Sequence, residues 1–435
     1  MEKKLTLKYS LLQGAYWMVA ATAMAYVTPI LEAKGFDSME IGILNAIKYA
    51  SVVVFQMLIG GFSDKHATTI PLKRTITFLS IISMIAAGIF WFAEANFLIA
   101  AFVFMLFGAT VNCVAPIIDS LSIQYMNTGR KINYTVSRAA GSATWAIYCV
   151  VLGVIADAWG SNSILLFQIG TTVLMILANL VMDKVDLEKL GIANHQTASV
   201  PGGEKPVAAD QYCTKEECES ECSCIEPIHN SWFLLSHFPK YRLFLLACLL
   251  TFAGYNMGGT FMIDVIHKLG GNHTDYGWFQ FVTAAAEVPV ALFFYWLKSK
   301  ISVQKLMVVC SAFCTIRAGA TALAPNVQTL ILVQGFEVFG LAIFYAGSVF
   351  FVMQYLPTQD AIKGTSLINL ATVGIGEALG SVLSGVINTH MGLQVLMNAS
   401  VVFSLAAVVV MVVMVRTPAE RSVRNRNRGD IRAVA

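Results

Sequence analysis

Apolar runs of about 20 residues recur from one end of this chain to the other, and no other feature limits its fold so strongly. A helix rises 1.5 Å per residue, so each run is long enough to cross a hydrocarbon core of ~30 Å. Twelve are counted, at roughly 10–31, 39–61, 72–93, 97–125, 134–157, 162–183, 241–266, 275–298, 302–324, 328–355, 364–388 and 392–415. Strands of a membrane barrel would be shorter and would alternate with period two, and these do not. The composition agrees: of 435 residues, 57% are hydrophobic and 13% charged, about half the charge of a soluble domain. The first run, in MEKKLTLKYSLLQGAYWMVAATAMAY, is basic and then apolar, like a signal peptide. Its apolar part passes twenty residues and eleven spans follow, so it reads as a retained first helix.

The expected fold is therefore an all-α polytopic membrane protein. Residues 184–240 contain no apolar run of membrane length and divide six helices from six. The expected units are a six-helix bundle over 1–183, a linker over 184–240, a second bundle over 241–415 and a basic tail over 416–435. Two parallel pseudo-repeats of this kind suit a transporter whose site lies between the halves near the midplane. Lysine and arginine set the orientation. With both termini cytoplasmic, 24 of the 29 fall in cytoplasmic segments, and the reverse topology would put those 24 outside. A plasma or inner membrane is the expected location. The tail RSVRNRNRGDIR reads as a juxtamembrane segment near anionic lipid, with no nucleic-acid role. Cys213, Cys218, Cys222 and Cys224 cluster in the linker. Their spacing is not that of paired C-x-x-C zinc sites, and a cytoplasmic loop disfavours disulfides. The other five cysteines lie in spans, as small core residues.

Charges inside spans are expensive and are functional candidates by default. Asp119 and Arg138 each lie about nine residues from the turn between helices four and five, ~14 Å along antiparallel helices, so they share one depth. They are placed to pair with each other or with a polar ligand. The second half repeats the device. Glu287 and Arg317 are each fifteen residues from the turn near 302, and Arg317 and Glu337 flank the turn near Asn326. One acid is in surplus there. A carboxyl moved between a low-dielectric site and an arginine can load and release a proton. Lys48 and Glu377 both stand ~21–24 Å from the cytoplasmic side, so an ion pair between them is expected to help close an outer gate.

These residues resemble the oligosaccharide:proton symporters of the major facilitator superfamily, the lactose permease-like family. Gly60, Asp64, Lys65, Lys73 and Arg74 resemble the superfamily's loop between helices two and three, which adds Asp64 to the gating residues Lys48 and Glu377. The resemblance implies that Asp119 and Arg138 bind sugar hydroxyls and that Trp145, seven residues past the arginine, stacks on the ring. Glu287 and Tyr255 match further binding positions, and Arg317 and Glu337 match the proton-coupling pair. Gln334 stands where the family has a histidine, Ile331 where it has a lysine, and Val290 where it has a sugar-binding asparagine. The helix-four P-x-x-D and the helix-five arginine are shared with a sister family resembling phenylpropionate permeases.

Proton-coupled symport of a small polar solute such as a sugar, by alternating access in a monomer, is the expected function. A permease for an aromatic or other organic acid, or for a nucleoside, is the alternative. A non-transporting membrane receptor or scaffold is the rival of a different class. No nucleotide loop, metal spacing or nucleophile–base motif points to an enzyme or to a cofactor. The expected partners are a small-molecule substrate, protons and the lipid bilayer.

Overall fold

The computed structural model describes residues 2–66, 70–185, 230–357 and 360–418. The linker's cysteine cluster, most of the basic tail and the side chain of Asp64 lie outside the described residues. With no water in hydrocarbon, each span must satisfy its backbone internally, and among the described residues every regular element is helical. We number the spans α1 to α12. α1 runs Glu2–Met24 and continues, after a 49° bend, as Val27–Ala33. α2 is Ser38–Lys65, α3 Leu72–Phe92, α4 Phe97–Asn127, α5 Tyr134–Trp159 and α6 Ile164–Val181. α7 is Pro239–Thr260, continued by Met262–Lys268, α8 is His273–Lys300 and α9 is Val303–Ala322. α10 has three pieces, Val327–Val333, Gln334–Phe339 and Leu341–Tyr355. α11 comprises Ala361–Asn369, a π-helical turn Leu370–Gly376, and Glu377–Met391; α12 is Leu393–Arg416. Ten are long and apolar enough to cross a membrane, eleven counting the bent α1. α8, with 28 residues, is the twelfth. A short helix, Ser231–His237, sits inside the segment expected to be linker, and the second bundle starts at Pro239.

The packing repeats with a shift of six helices. α1 packs on α5 and α6, α2 on α4, and α3 on α4 and α6. Likewise α7 packs on α11 and α12, α8 on α10, and α9 on α10 and α12. The two large contacts between the halves, α5–α8 and α2–α11, exchange under the same shift. Local signals repeat too. Asn96 caps α4 and Asn326 caps α10. Gly160 and Gly392, at φ 81° and 85°, make the turns into α6 and α12 in a region that only glycine enters freely.

The halves are clamped at the end away from the termini. Pro29 has no N–H, so the carbonyl of Ala25, one turn earlier, is free, and Tyr276 of α8 donates its hydroxyl to it at 2.7 Å. The break in α7 likewise frees the carbonyl of Thr260, which accepts from Thr28 of α1 at 2.6 Å. Asp157, near the end of α5, accepts from the backbone N–H groups of His273 (2.9 Å) and Thr274 (2.8 Å) in the first turn of α8. Glycine lets the backbones touch. A Cβ on Gly42 would lie 2.6 Å from the Ser381 carbonyl and 2.9 Å from Gly385 Cα, and one on Gly277 would lie 2.6 Å from the Cys149 carbonyl. At the terminal end of the first half, Lys8 reaches Asp183 at 2.6 Å and Arg130 pairs with the same carboxylate. Those hydrogen bonds hold the Asp183 carboxyl below the usual carboxylate range, and they tie α1, the α4–α5 turn and the end of α6 into one body.

Gly42→Val or Gly385→Val should prise the α2–α11 seam apart while leaving each half folded. Hydrogen exchange should rise at the far ends of α2 and α11, with unchanged helical circular dichroism. Gly108→Val, whose added carbons would meet the Lys48 carbonyl and the Ser51 side chain within one half, should instead lower Tm. If both substitutions depress Tm equally without local opening, the seam is an ordinary core.

Candidate functional site

In the first half the site is built on α1, α4 and α5. Asp119 follows Pro116, which leaves a helical carbonyl of α4 without its usual donor. Its Oδ1 accepts from Gln13 Nε2 at 3.1 Å, and the Tyr134 hydroxyl also bonds to the carboxylate. Gln13 is held in turn by the Tyr9 hydroxyl at 3.0 Å, which donates to the carbonyl of Ile118. The Arg138 guanidinium lies 4.4 Å from the centre of the Trp17 ring, with Nη1 3.4 Å from Ser142 Oγ. Trp145 meets Trp17 edge-on at 5.6 Å. The buried Trp17 Nε1 has no partner. Asp119 and Arg138 form no ion pair within 4 Å of each other. Both are half-buried, and acceptors on one and donors on the other remain for a ligand.

In the second half, α10 is interrupted at its acid. Glu337 sits in the 3₁₀ stretch Gln334–Phe339 with no solvent exposure. Its Oε1 accepts from Leu341 N at 3.1 Å, so the carboxylate caps the helical limb that follows. Its Oε2 lies 3.1 Å from Arg317 Nε. Neither of those two atoms has a well-aligned hydrogen bond, so the contact is chiefly coulombic. Arg317 donates through Nη1 to Gln334 Oε1 at 2.7 Å and stands 4.3 Å over the Tyr255 ring. Gln334 is anchored by donating to the Leu330 carbonyl at 2.9 Å. Glu287, on α8, makes no ion pair within 4 Å among the described residues.

The expected ion pair between Lys48 and Glu377 is not formed within 4 Å. Both face the α2–α11 seam, but Tyr49 occupies the contact. It lines the same cavity as Glu377 and Asn256, and its ring stands 4.4 Å from Lys48 Nζ. Lys48 is 1% exposed, with no hydrogen-bond partner. Glu377 follows directly on the π-helical turn of α11, a local over-insertion that recurs at functional sites. Spacing along a helix does not set facing direction, which depends on the packing.

A cavity of about 170 Å³ lies between the halves, and its polar lining includes Asn45, Tyr49, Asn256, Gln280, Arg317 and Glu377. Of the residues expected from the sequence, Tyr255, Arg317 and Glu377 line it, whereas Asp119, Arg138, Trp145, Glu287 and Glu337 do not. Gln13, Trp17, Asn45, Tyr49, Asn256 and Gln280 were not expected. Their signal was spacing: Gln13 and Trp17 are four apart on α1, and Asn45, Lys48 and Tyr49 fall at i, i+3 and i+4, one face of α2.

Comparison with known proteins places this geometry. The model of a family described as MFS_1 like matches residues 7–399. No curated protein sequence gives a significant match. The fold is similar to that of the nucleoside transporter NupG, at 14% identity over 95% of this chain and 100% of that one, with a TM-score of 0.75. It is similar to the peptide transporter POT in complex with sulfate, at 13% identity over 94% and 93%, TM-score 0.66. A bacterial homolog of the human lysosomal transporter Spinster, inward-facing and unoccupied, is similar at 13% identity over 95% and 97%, TM-score 0.65. At such identities the likeness is one of fold.

Arg317→Ala should strand the Glu337 charge in a dry site and destabilise the protein by about 3–5 kcal/mol, read as a fall in Tm of the purified protein. Adding Glu337→Gln should restore most of the loss. Purely additive effects in that cycle would show that the two groups are energetically independent.

Proposed function

We propose, for a chain that belongs to the MFS_1-like family of the major facilitator superfamily, proton-coupled secondary transport of a small neutral polar ring compound by alternating access. The observation that carries this is Glu337, fully buried 3.1 Å from Arg317 in one half, with Asp119 and Arg138 half-buried and not paired with each other in the other. Glu337 is the proton-carrying group. It is sealed from solvent beside Arg317, and a carboxyl there changes protonation when the arginine moves toward or away from it. Asp119 and Arg138 are the binding pair. A carboxylate offers only acceptors and a guanidinium only donors, so they hold a polyol from two sides. Trp145 and Trp17 supply flat apolar faces beside them. Glu287 and Tyr255 complete the binding site, Arg317 and Gln334 hold the proton group, and Lys48, Glu377 and Asp64 belong to the gates.

The sequence resemblance to oligosaccharide:proton symporters supports a sugar. The amides of Asn45, Asn256 and Gln280 around the cavity support a nucleoside as the second reading, because an amide can donate and accept together against the edge of a base. An anionic aromatic acid is less well served: Lys48, a buried cation without a hydrogen-bond partner, stands against the Tyr49 ring and does not line the cavity. With both termini cytoplasmic, as the lysine and arginine distribution indicates, the closed far end is the outer end and the protein stands in its inward-facing state.

Counterflow in proteoliposomes with labelled sugars, nucleosides and aromatic acids tests the substrate class. Absence of flux for every class, in protein that is folded and inserted, would favour a receptor or scaffold. Asp119→Asn and Arg138→Lys should each weaken substrate binding at least about tenfold, a loss of ~1.4 kcal/mol, with normal insertion. Unchanged affinity in both would move the site elsewhere. Glu337→Gln should abolish uphill, gradient-driven uptake and retain exchange; full accumulation in that variant would remove Glu337 from coupling.

A further inference from the structure

Two carboxylates outside this network meet across the halves at the closed end. Glu32 is on the second limb of α1, and Asp264 on the corresponding limb of α7. Each acid stands one helical turn beyond the 2.6 Å contact of Thr28 with the Thr260 carbonyl, Glu32 four residues past Thr28 and Asp264 four past Thr260, which brings the two carboxyl groups within reach of each other across the seam. Ionised carboxylates are acceptors only, so a bond between them requires one proton. Two like charges brought together on a seam do not both stay ionised.

The neighbouring groups leave that proton as the neutralising partner. His267, on the same limb as Asp264, is exposed, and no lysine, arginine or histidine nitrogen forms an ion pair within 4 Å of either carboxylate among the described residues. The Tyr276 hydroxyl, from α8, faces Glu32 but donates to the Ala25 carbonyl. Lys34 is turned toward the carbonyls of Trp91 and Ala93, at 3.3 and 2.8 Å. Lys268 is exposed. Asp157 and His273 are joined to each other at 3.1 Å. The pair also lies beside the two cross-half bonds made at the helix breaks, Thr28 to the Thr260 carbonyl and Tyr276 to the Ala25 carbonyl. When the far end opens, α1 and α7 part and the carboxyl contact is lost with them.

We propose that Glu32 and Asp264 form a second proton-binding site, on the seam between the halves, that holds the far end closed while loaded and gives up its proton as that end opens. The proposal deepens the transport reading and rests on it for its physiological sense. Its test uses neither substrate nor gradient, so it can fail while coupling through Glu337 stands.

Spin labels on Glu94→Cys, in the α3–α4 loop, and Gln328→Cys, in the first turn of α10, both exposed and at the far end of opposite halves, report the opening by double electron–electron resonance in a background without other cysteines. One proton released on opening makes the closed-to-open ratio change about tenfold per pH unit, rising as pH falls. Glu32→Gln and Asp264→Asn each place an amide donor against the remaining carboxylate, so each should stay closed and lose the pH slope. A monodisperse elution profile checks that the variants are folded. A flat wild-type response overturns the proposal, as does a slope kept in both variants. A closed fraction that follows sodium instead of pH overturns it too. A slope abolished by His273→Asn with the carboxyl pair intact would assign the switch to the Asp157 clamp and reject this one.

Discussion

A charge in hydrocarbon must find a partner or a wet cavity, and the placement of Glu337 against Arg317 is how this bundle meets that demand at its centre. Much follows from it. The carboxylate also accepts from the Leu341 amide, so the interruption of α10 is compensated by the acid that sits in it. Arg317 is fixed from its other side by Gln334 and covered by the Tyr255 ring. The carboxylate is thus hydrogen-bonded through one oxygen to the backbone, while its other oxygen meets the arginine by a chiefly coulombic contact.

The two halves meet through a second economy. Each of α1 and α7 is broken near the same end, and each break frees one carbonyl that the opposite half uses. A straight helix would have kept those carbonyls in its own ladder and left nothing directional for the partner to bind. Glycine at Gly42, Gly277 and Gly385 removes the side chains that would hold the backbones apart. The seam therefore combines close backbone contacts and hydrogen bonds with a buried cluster shared by both halves, in which Tyr26 meets Tyr276 edge-on. Such a seam can be released in one step, whereas the interior of each half is tied by buried clusters and by the Lys8–Asp183–Arg130 brace.

Much of the architecture was legible before folding was considered. Runs of twenty apolar residues can do little but cross a membrane as helices, and a single long polar interruption separates six from six. Depth was legible too, because rise per residue is constant: Asp119 and Arg138, or Arg317 and Glu337, had to lie at similar levels. Facing direction was not. Lys48 and Glu377 match in depth, yet Tyr49 takes the contact, and Asp119 turns to Gln13 and Tyr134 instead of Arg138.

What the sequence determined by itself was membrane residence, the all-helical class and the spacing of the charges along the spans, since all of these depend on composition and distance along one chain. The tertiary structure alone decided which charges pair, which amides line the cavity, and that Glu32 meets Asp264. Some of those contacts join neighbouring helices, as Arg317 with Glu337, and others, as Glu32 with Asp264, join helices more than two hundred residues apart. They depend on the rotation of each helix about its axis, and bends at Pro29 and Phe261 alter that rotation where no periodicity in the chain records it.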